Sequence, residues 1–145
     1  MTIELDRISI GRPPLAVALA GDVPVDWVPI VVRRPTLRDA QRARSLLRAG
    51  TRDTANFSVA LEVEVAIAPS AASSRAAVEQ LGLPDELDGS TVRYIGTPSG
   101  LAMLIRDIYA AEVADAVVLV PLDGSATELR LRQLVLPAFT LHRAA

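Results

Sequence analysis

The chain has 145 residues, half of them hydrophobic, which is enough for one domain around one core. A net charge of −2 gives no electrostatic case for nucleic acid, and the absence of cysteine excludes disulfides and thiolate metal sites. The one histidine, His142, lies near the C-terminus, so neither a His-centred catalytic site nor a metal site is expected.

The first segment, Ile3 to Ile10, is strand-like but polar and reads as an edge or an arm, broken by Gly11-Arg12-Pro13-Pro14. Residues 14–20 form a short apolar run that predicts a buried strand. Gly21-Asp22-Val23-Pro24 is a turn, and 25–32 is the next strand, with Pro29 inside it favouring an edge or a bulge. Thr36 caps a helix over 36–49 that stops at Gly50. Leu37, Ala40, Ala43 and Leu47 form its inner stripe, and Arg38, Arg42, Arg44 and Arg48 are assigned to its surface.

Residues 58–67 give the clearest strand, with Val59, Leu61, Val63, Val65 and Ile67 on one face and Ala60, Glu62, Glu64 and Ala66 on the other. An Ala-rich helix follows over 70–81, then an acidic loop from Leu83 to Tyr94. Thr97-Pro98 opens a helix over 98–112, whose stripe of Leu101, Leu104, Ile105 and Ile108 is assigned to the core together with Met103. The strand 115–121 and a helix over 125–137 complete the chain, Ser125 and Glu128 reading as a capping box. Tyr94 and Tyr109 are isolated and belong to no motif.

Alternation of strands and helices, with a core of Leu, Val, Ile and Ala and few aromatics, predicts a parallel sheet with helices packed on it. The apolar runs are far too short to span a bilayer, and Met1 to Asp6 lacks a basic leader, so a cytoplasmic protein without a membrane partner is expected.

Five segments in order, Val25-Asp26-Trp27-Val28-Pro29-Ile30 with the helix after it, Val59 to Ile67, Gly96-Thr97-Pro98, Asp115 to Pro121, and Val135 to Phe139, make the chain resemble the C-terminal half of luciferase-like flavin-dependent monooxygenases. The resemblance implies a single domain over 1–145 with an α/β fold, a partial, half TIM-barrel-like parallel sheet with helices packed on it. Full-length members build much of the flavin ring site from an N-terminal half with no counterpart here. Many also carry a Ser-rich phosphate loop where this chain has only Gly21-Asp22-Val23-Pro24. The resemblance therefore implies a relative that binds no cofactor tightly by itself and associates with itself as a homodimer or with a full-length luciferase-like protein. The alternative is an FMN- or deazaflavin-dependent oxidoreductase whose site is completed in an oligomer.

No catalytic residue is assigned. Glu62 and Glu64 share a strand face and either serve acid/base or cation chemistry or form a solvated polar face. Arg33 and Arg34 follow a strand end, and Ser70, Asp123, Gly124 and Ser125 are expected on the same rim. Arg33, Arg34, Ser70 and Ser125 thus form a candidate anion site for a cofactor phosphate, against the alternative that the arginines pair with surface carboxylates. Half of a barrel leaves two open edges, assigned to Leu15–Ala20 and Ala116–Val120, and an uncovered inner face, from which dimerisation is expected.

Overall fold

The computed structural model describes residues 12–24, 27–80 and 90–140. Five strands form one all-parallel sheet: β1 (Ala16–Leu19), β2 (Ile30–Val32), β3 (Val59–Ile67), β4 (Arg93–Gly96) and β5 (Ala116–Pro121). Four helices, α1 (Leu37–Ala49), α2 (Ala71–Gln80), α3 (Pro98–Ala110) and α4 (Ser125–Arg130), alternate with them, and a π-helical segment (Leu131–Val135) and a short α5 (Pro137–Thr140) follow. The expected open α/β architecture is therefore present. Among the described residues no helix is long and apolar enough to cross a membrane.

The strand order runs β1-β5-β3-β2, with β4 also on β3. Residues 60–65 of β3 pair with β5, residues 59–61 with β2 and residues 64–67 with β4. A strand has two edges, so β2 and β4 lie one after the other along the side of β3 that β5 does not occupy. This corrects the assignment of Ala116–Val120 to an edge: β5 is central, paired on both sides with β1 and β3. The edges are β1 on one side and β2 and β4 on the other.

Several element boundaries also shift. Val25 and Asp26 of the expected 25–32 strand lie outside the described residues, and of 27–32 only Ile30–Val32 joins the sheet, since Pro29 has no N–H to give the ladder. Residues 83–89 of the expected loop lie outside the described residues, but its end, from Arg93, is β4. The expected helix over 125–137 divides, since Pro137 cannot continue the amide ladder and Leu136 N–H donates back five residues to the Leu131 carbonyl at 2.8 Å. Gly124, at φ 66° and ψ −131°, is the N-cap of α4, a conformation that needs glycine, and Glu128 is engaged elsewhere, so Ser125 and Glu128 do not form a capping box. Ile3 to Ile10 and His142 lie outside the described residues.

The alternation in β3 sorts the sheet into two faces. Val59, Leu61, Val63, Val65 and Ile67 join Val17, Leu19, Val117 and Leu119 under Ala40 of α1, Leu101, Ile105 and Ile108 of α3, and Leu131, Val135 and Phe139. This is the main core, and it confirms the α1 and α3 stripes. Met103 is the exception, being 65 % exposed on the outer side of α3. The opposite face carries small residues: Ala60, Ala116 and Val118 cluster with Ala16 under Trp27.

At the N-terminal end of β3 and β5 a charged cluster is sealed inside the protein. Asp115 is fully buried, and its Oδ1 accepts from Arg12 Nε at 2.8 Å and from Arg44 Nε and Nη2 at 3.1 and 2.9 Å. Its Oδ2 accepts from the Val59 amide at 3.0 Å, and its own amide donates to the Val59 carbonyl at 2.8 Å. Arg12 also donates to the Ala114 carbonyl and lies 3.6 Å over the Tyr109 ring, whose hydroxyl donates to the Pro13 carbonyl. Arg44, assigned from sequence to the surface of α1, is 3 % exposed. It occupies the inner stripe beside Ala40 and Ala43 because a carboxylate waits there. Tyr109, read as isolated, is the platform for Arg12.

Burial alone would raise the Asp115 pKa, but hydrogen bonds from Arg44, Arg12 and the Val59 amide, with the Arg44 charge, outweigh it and hold the carboxyl below its ordinary value. A folded-state pKa below the unfolded one means that the stabilisation is complete above the unfolded value of about 3.9 and fades as pH falls through the folded value. Asp115→Ala is expected to cost about 3–5 kcal/mol in urea unfolding, since Arg44 is left buried and uncompensated. Asp115→Asn is expected to flatten the loss of stability below about pH 4.

Candidate functional site

The inner sheet face holds a second charged cluster, midway along β3. Glu62 and Glu64 point to that face together, as their spacing requires. Arg33, just past β2, pairs through Nη1 with Glu62 Oε2 and reaches Glu64 Oε2 with Nη2 at 3.8 Å. Its Nη2 also donates to Ser90 Oγ at 2.6 Å. Arg93 of β4 sits beside Glu64 in register and donates to Oε1 from Nε and Nη2 at 3.3 and 3.2 Å. The Thr91 hydroxyl donates to the Glu62 carbonyl. Two arginines and two glutamates so balance one another, and they tie the end-to-end strands β2 and β4 to β3. The arrangement satisfies its own charges, and among the described residues no group of acids or histidine is placed to hold a metal ion.

The candidate anion residues do not converge. Arg33 lies level with the middle of β3, because Val32 is in register with Leu61. From Glu62 to the end of β3 at Ile67 is about 16 Å of strand, and Ser70 is beyond that. Arg34 is exposed and donates to the Arg33 carbonyl at 2.7 Å. Ser70 caps α2, its Oγ accepting from the Ser73 amide while Ser73 Oγ accepts from the Ser70 amide. Ser125 is exposed in the first turn of α4. Ser70 and Ser125 therefore share the C-terminal end of the sheet, and Arg33 and Arg34 do not reach it. Of Asp123, also expected on this rim, Oδ1 is buried without a hydrogen-bond partner among the described residues.

That C-terminal end is shaped by side chains bonded to backbone groups of β3 and β4. The Thr127 hydroxyl accepts from the Ile67 amide at 3.1 Å, and Arg130 Nη1 donates to the Ile67 carbonyl at 2.8 Å. Ser74 Oγ donates to the Gly96 carbonyl at 2.9 Å. Beside the end of β1, Asp22 Oδ2 lies 2.7 Å from Arg132 Nη2, which is also 3.0 Å from Glu128 Oε2. These hydrogen bonds and charges, from Asp22 first, raise the pKa of the exposed Arg132. Two carboxylates thus already hold Arg132 beside the turn after β1. This turn does not fit a phosphate: Ala20–Asp22 is a tight 3-10 turn with no hydroxyl, and its charge has the wrong sign.

The Gly96-Thr97-Pro98 segment is also filled by the chain itself. Thr97 Oγ1 caps α3, accepting from the Gly100 amide at 3.2 Å. The Tyr94 hydroxyl donates to the Thr97 carbonyl at 3.0 Å and accepts from the Thr97 amide at 3.1 Å. The ring then lies so close over Gly96 and Gly100 that a Cβ at either position would collide with it. The motif is a packing joint built around Tyr94, a residue whose sequence context shows no motif. Gly100→Ala is expected to cost about 1–3 kcal/mol in chemical denaturation. In a Tyr94→Ala background the same change is expected to cost under about 0.5 kcal/mol.

Comparison with known proteins adds to this geometry. No family model matches the chain, and no curated protein matches it. Among solved structures, the chain is similar to riboflavin lyase (RcaE) with modified FMN and substrate riboflavin, at 16 % identity and a TM-score of 0.56 over 92 % of this chain and 40 % of that one. It is also similar to apo-MsnO8, at 18 % identity and a TM-score of 0.57 over 79 % of this chain and 46 % of that one. The chain spans less than half of the length of either structure. At this identity the likeness is one of fold, and it agrees with the luciferase-like resemblance read from the sequence.

Proposed function

We propose that this chain is a relative of the luciferase-like monooxygenases, non-catalytic by itself, that acts by associating with itself or with a full-length relative. The observation that carries the reading is the inner face of the sheet. In a closed barrel such a face is packed from all sides. Here its centre is occupied by Arg33, Glu62, Glu64 and Arg93, all spent on one another. Its apolar part, Ala60, Ala116 and Val118 under Trp27, is small. No nucleophile–base pair is assembled on it among the described residues, and the turn after β1 disfavours a phosphate. A site of this kind supports a scaffold better than a reaction centre.

The second reading is a flavin- or deazaflavin-dependent oxidoreductase whose site is completed in an oligomer. The fold shared with a riboflavin lyase crystallised with a modified FMN favours it. In that case the oligomer would have to supply the phosphate partners, each charge-assisted hydrogen bond contributing about 1.5–3 kcal/mol.

Titration of the isolated chain with oxidised and reduced FMN separates the two readings. Calorimetry or flavin fluorescence is expected to give no constant tighter than about 100 µM, equivalent to some 5.5 kcal/mol. A sub-micromolar constant would overturn the scaffold reading and favour the enzyme.

A further inference from the structure

A pocket of about 340 Å³ opens beside the alanine patch of the inner face. Pro13 to Ala16 lead into β1, Trp27 lies before β2, and Ser58 directly precedes β3. The pocket is therefore at the N-terminal end of the sheet. Enzymes of this architecture place their reaction centres at the opposite end, so the pocket is no remnant of such a centre.

Its apolar walls are Trp27, Pro13, Pro14 and Leu15. They are held in place without a ligand. Trp27 packs on Ala60, Ala116 and Val118, and its backbone N–H donates to the Pro24 carbonyl at 3.1 Å. The Pro13 carbonyl accepts from the Tyr109 hydroxyl at 2.8 Å. A pocket built in advance loses little on ordering its walls when something enters.

Three polar groups on the same lining residues remain unused. The Asn56 amide nitrogen donates to both Asp53 carboxylate oxygens at 3.1 Å, which fixes its orientation and leaves Oδ1 as an acceptor. The Ser58 carbonyl accepts from the Ile30 amide, but the Ser58 hydroxyl has no partner among the described residues. The Trp27 indole N–H has none either. No ionisable residue lines the pocket among the described residues.

We propose that this pocket binds a small neutral aromatic molecule of one or two fused rings, with a hydrogen-bond donor and an acceptor on its edge. The volume lies at the lower end of the range of small-molecule sites, about 300–1,000 Å³. The ligand ring lies against the indole and proline rings, and its edge meets the Trp27 N–H, Asn56 Oδ1 and the Ser58 hydroxyl. A charged ligand would lose water and gain no counter-charge. A flexible aliphatic ligand would give up more rotamer freedom for the same area.

Trp27 is the one tryptophan of the chain, so an isotope-labelled sample shows one indole N–H resonance, and that resonance reports the pocket. The probe is carbostyril, a neutral fused bicycle with an N–H and a C=O on its edge, titrated into the full chain. Comparison probes are δ-valerolactam, which keeps the N–H and C=O without the fused rings, and β-naphthoate, which keeps two fused rings and adds a charge. Carbostyril is expected to move the indole resonance with a constant of about 200 µM or tighter, and each comparison probe to bind at least about tenfold more weakly. Trp27→Leu, followed by calorimetry, is expected to weaken binding at least about tenfold. Ala55→Glu puts a charge on an exposed part of the lining and is expected to weaken binding about as much with the thermal melt unchanged. The proposal is overturned if carbostyril leaves the indole resonance in place, or if either comparison probe binds equally well. Binding to Ala55→Glu as tight as to the parent also overturns it.

Discussion

The fully buried Asp115 carboxylate collects the Arg12 and Arg44 guanidinium groups and the Val59 amide at one end of the sheet. The segment before β1, helix α1, strand β3 and the turn entering β5 all meet at this atom pair. Each partner is also committed further: Arg12 to the Ala114 carbonyl and the Tyr109 ring, Arg44 to the Glu112 carbonyl. An ionic cluster of this burial is costly to assemble, and it holds the fold only because every donor and acceptor in it is matched. It fixes where β5 begins, and so fixes that β5 runs between β1 and β3 and not at an edge.

From that anchor the two faces of the sheet take different roles. The branched aliphatic face is dry and carries the helices, which gives the molecule its stability. The other face mixes alanine, Trp27 and the Arg33–Glu62–Glu64–Arg93 cluster. The same cluster links β2 and β4 to one side of β3, adding side-chain ties to their short ladders. The polar groups of the inner face are therefore used for cohesion, and the C-terminal end of the sheet is capped by Thr127, Arg130 and Ser74 acting on backbone groups. The charged and hydroxyl groups of the chain thus serve the frame itself.

Much of the frame was legible in the sequence because it rests on local rules. The period-two pattern of 59–67, the Thr36 and Thr97 caps, and the stripes of α1 and α3 depend on nearest neighbours. What was not legible depends on contacts distant in sequence. Arg44 was placed on the surface because an arginine usually belongs there. A signal was nonetheless present: it stands at inner-stripe spacing from Ala40 and Leu47, and Asp115 directly precedes an apolar strand. β4 was hidden because its four residues have no periodicity to show, and its pairing is set by Glu64 and Arg93 across 29 positions. The candidate anion site failed to converge for a similar reason. Arg33 and Ser70 each follow a strand, but β2 pairs with the start of β3 and so ends far short of its C-terminal end.

An open sheet whose β1 edge and inner face have no second layer among the described residues has reason to associate. A stable two-fold contact would need to bury about 1,200 Å² or more in total. The most direct measurement is the solution mass by light scattering at micromolar concentration. Self-association gives an assembly of at least two chains of 15.4 kDa, and a mass of 15.4 kDa rules self-association out.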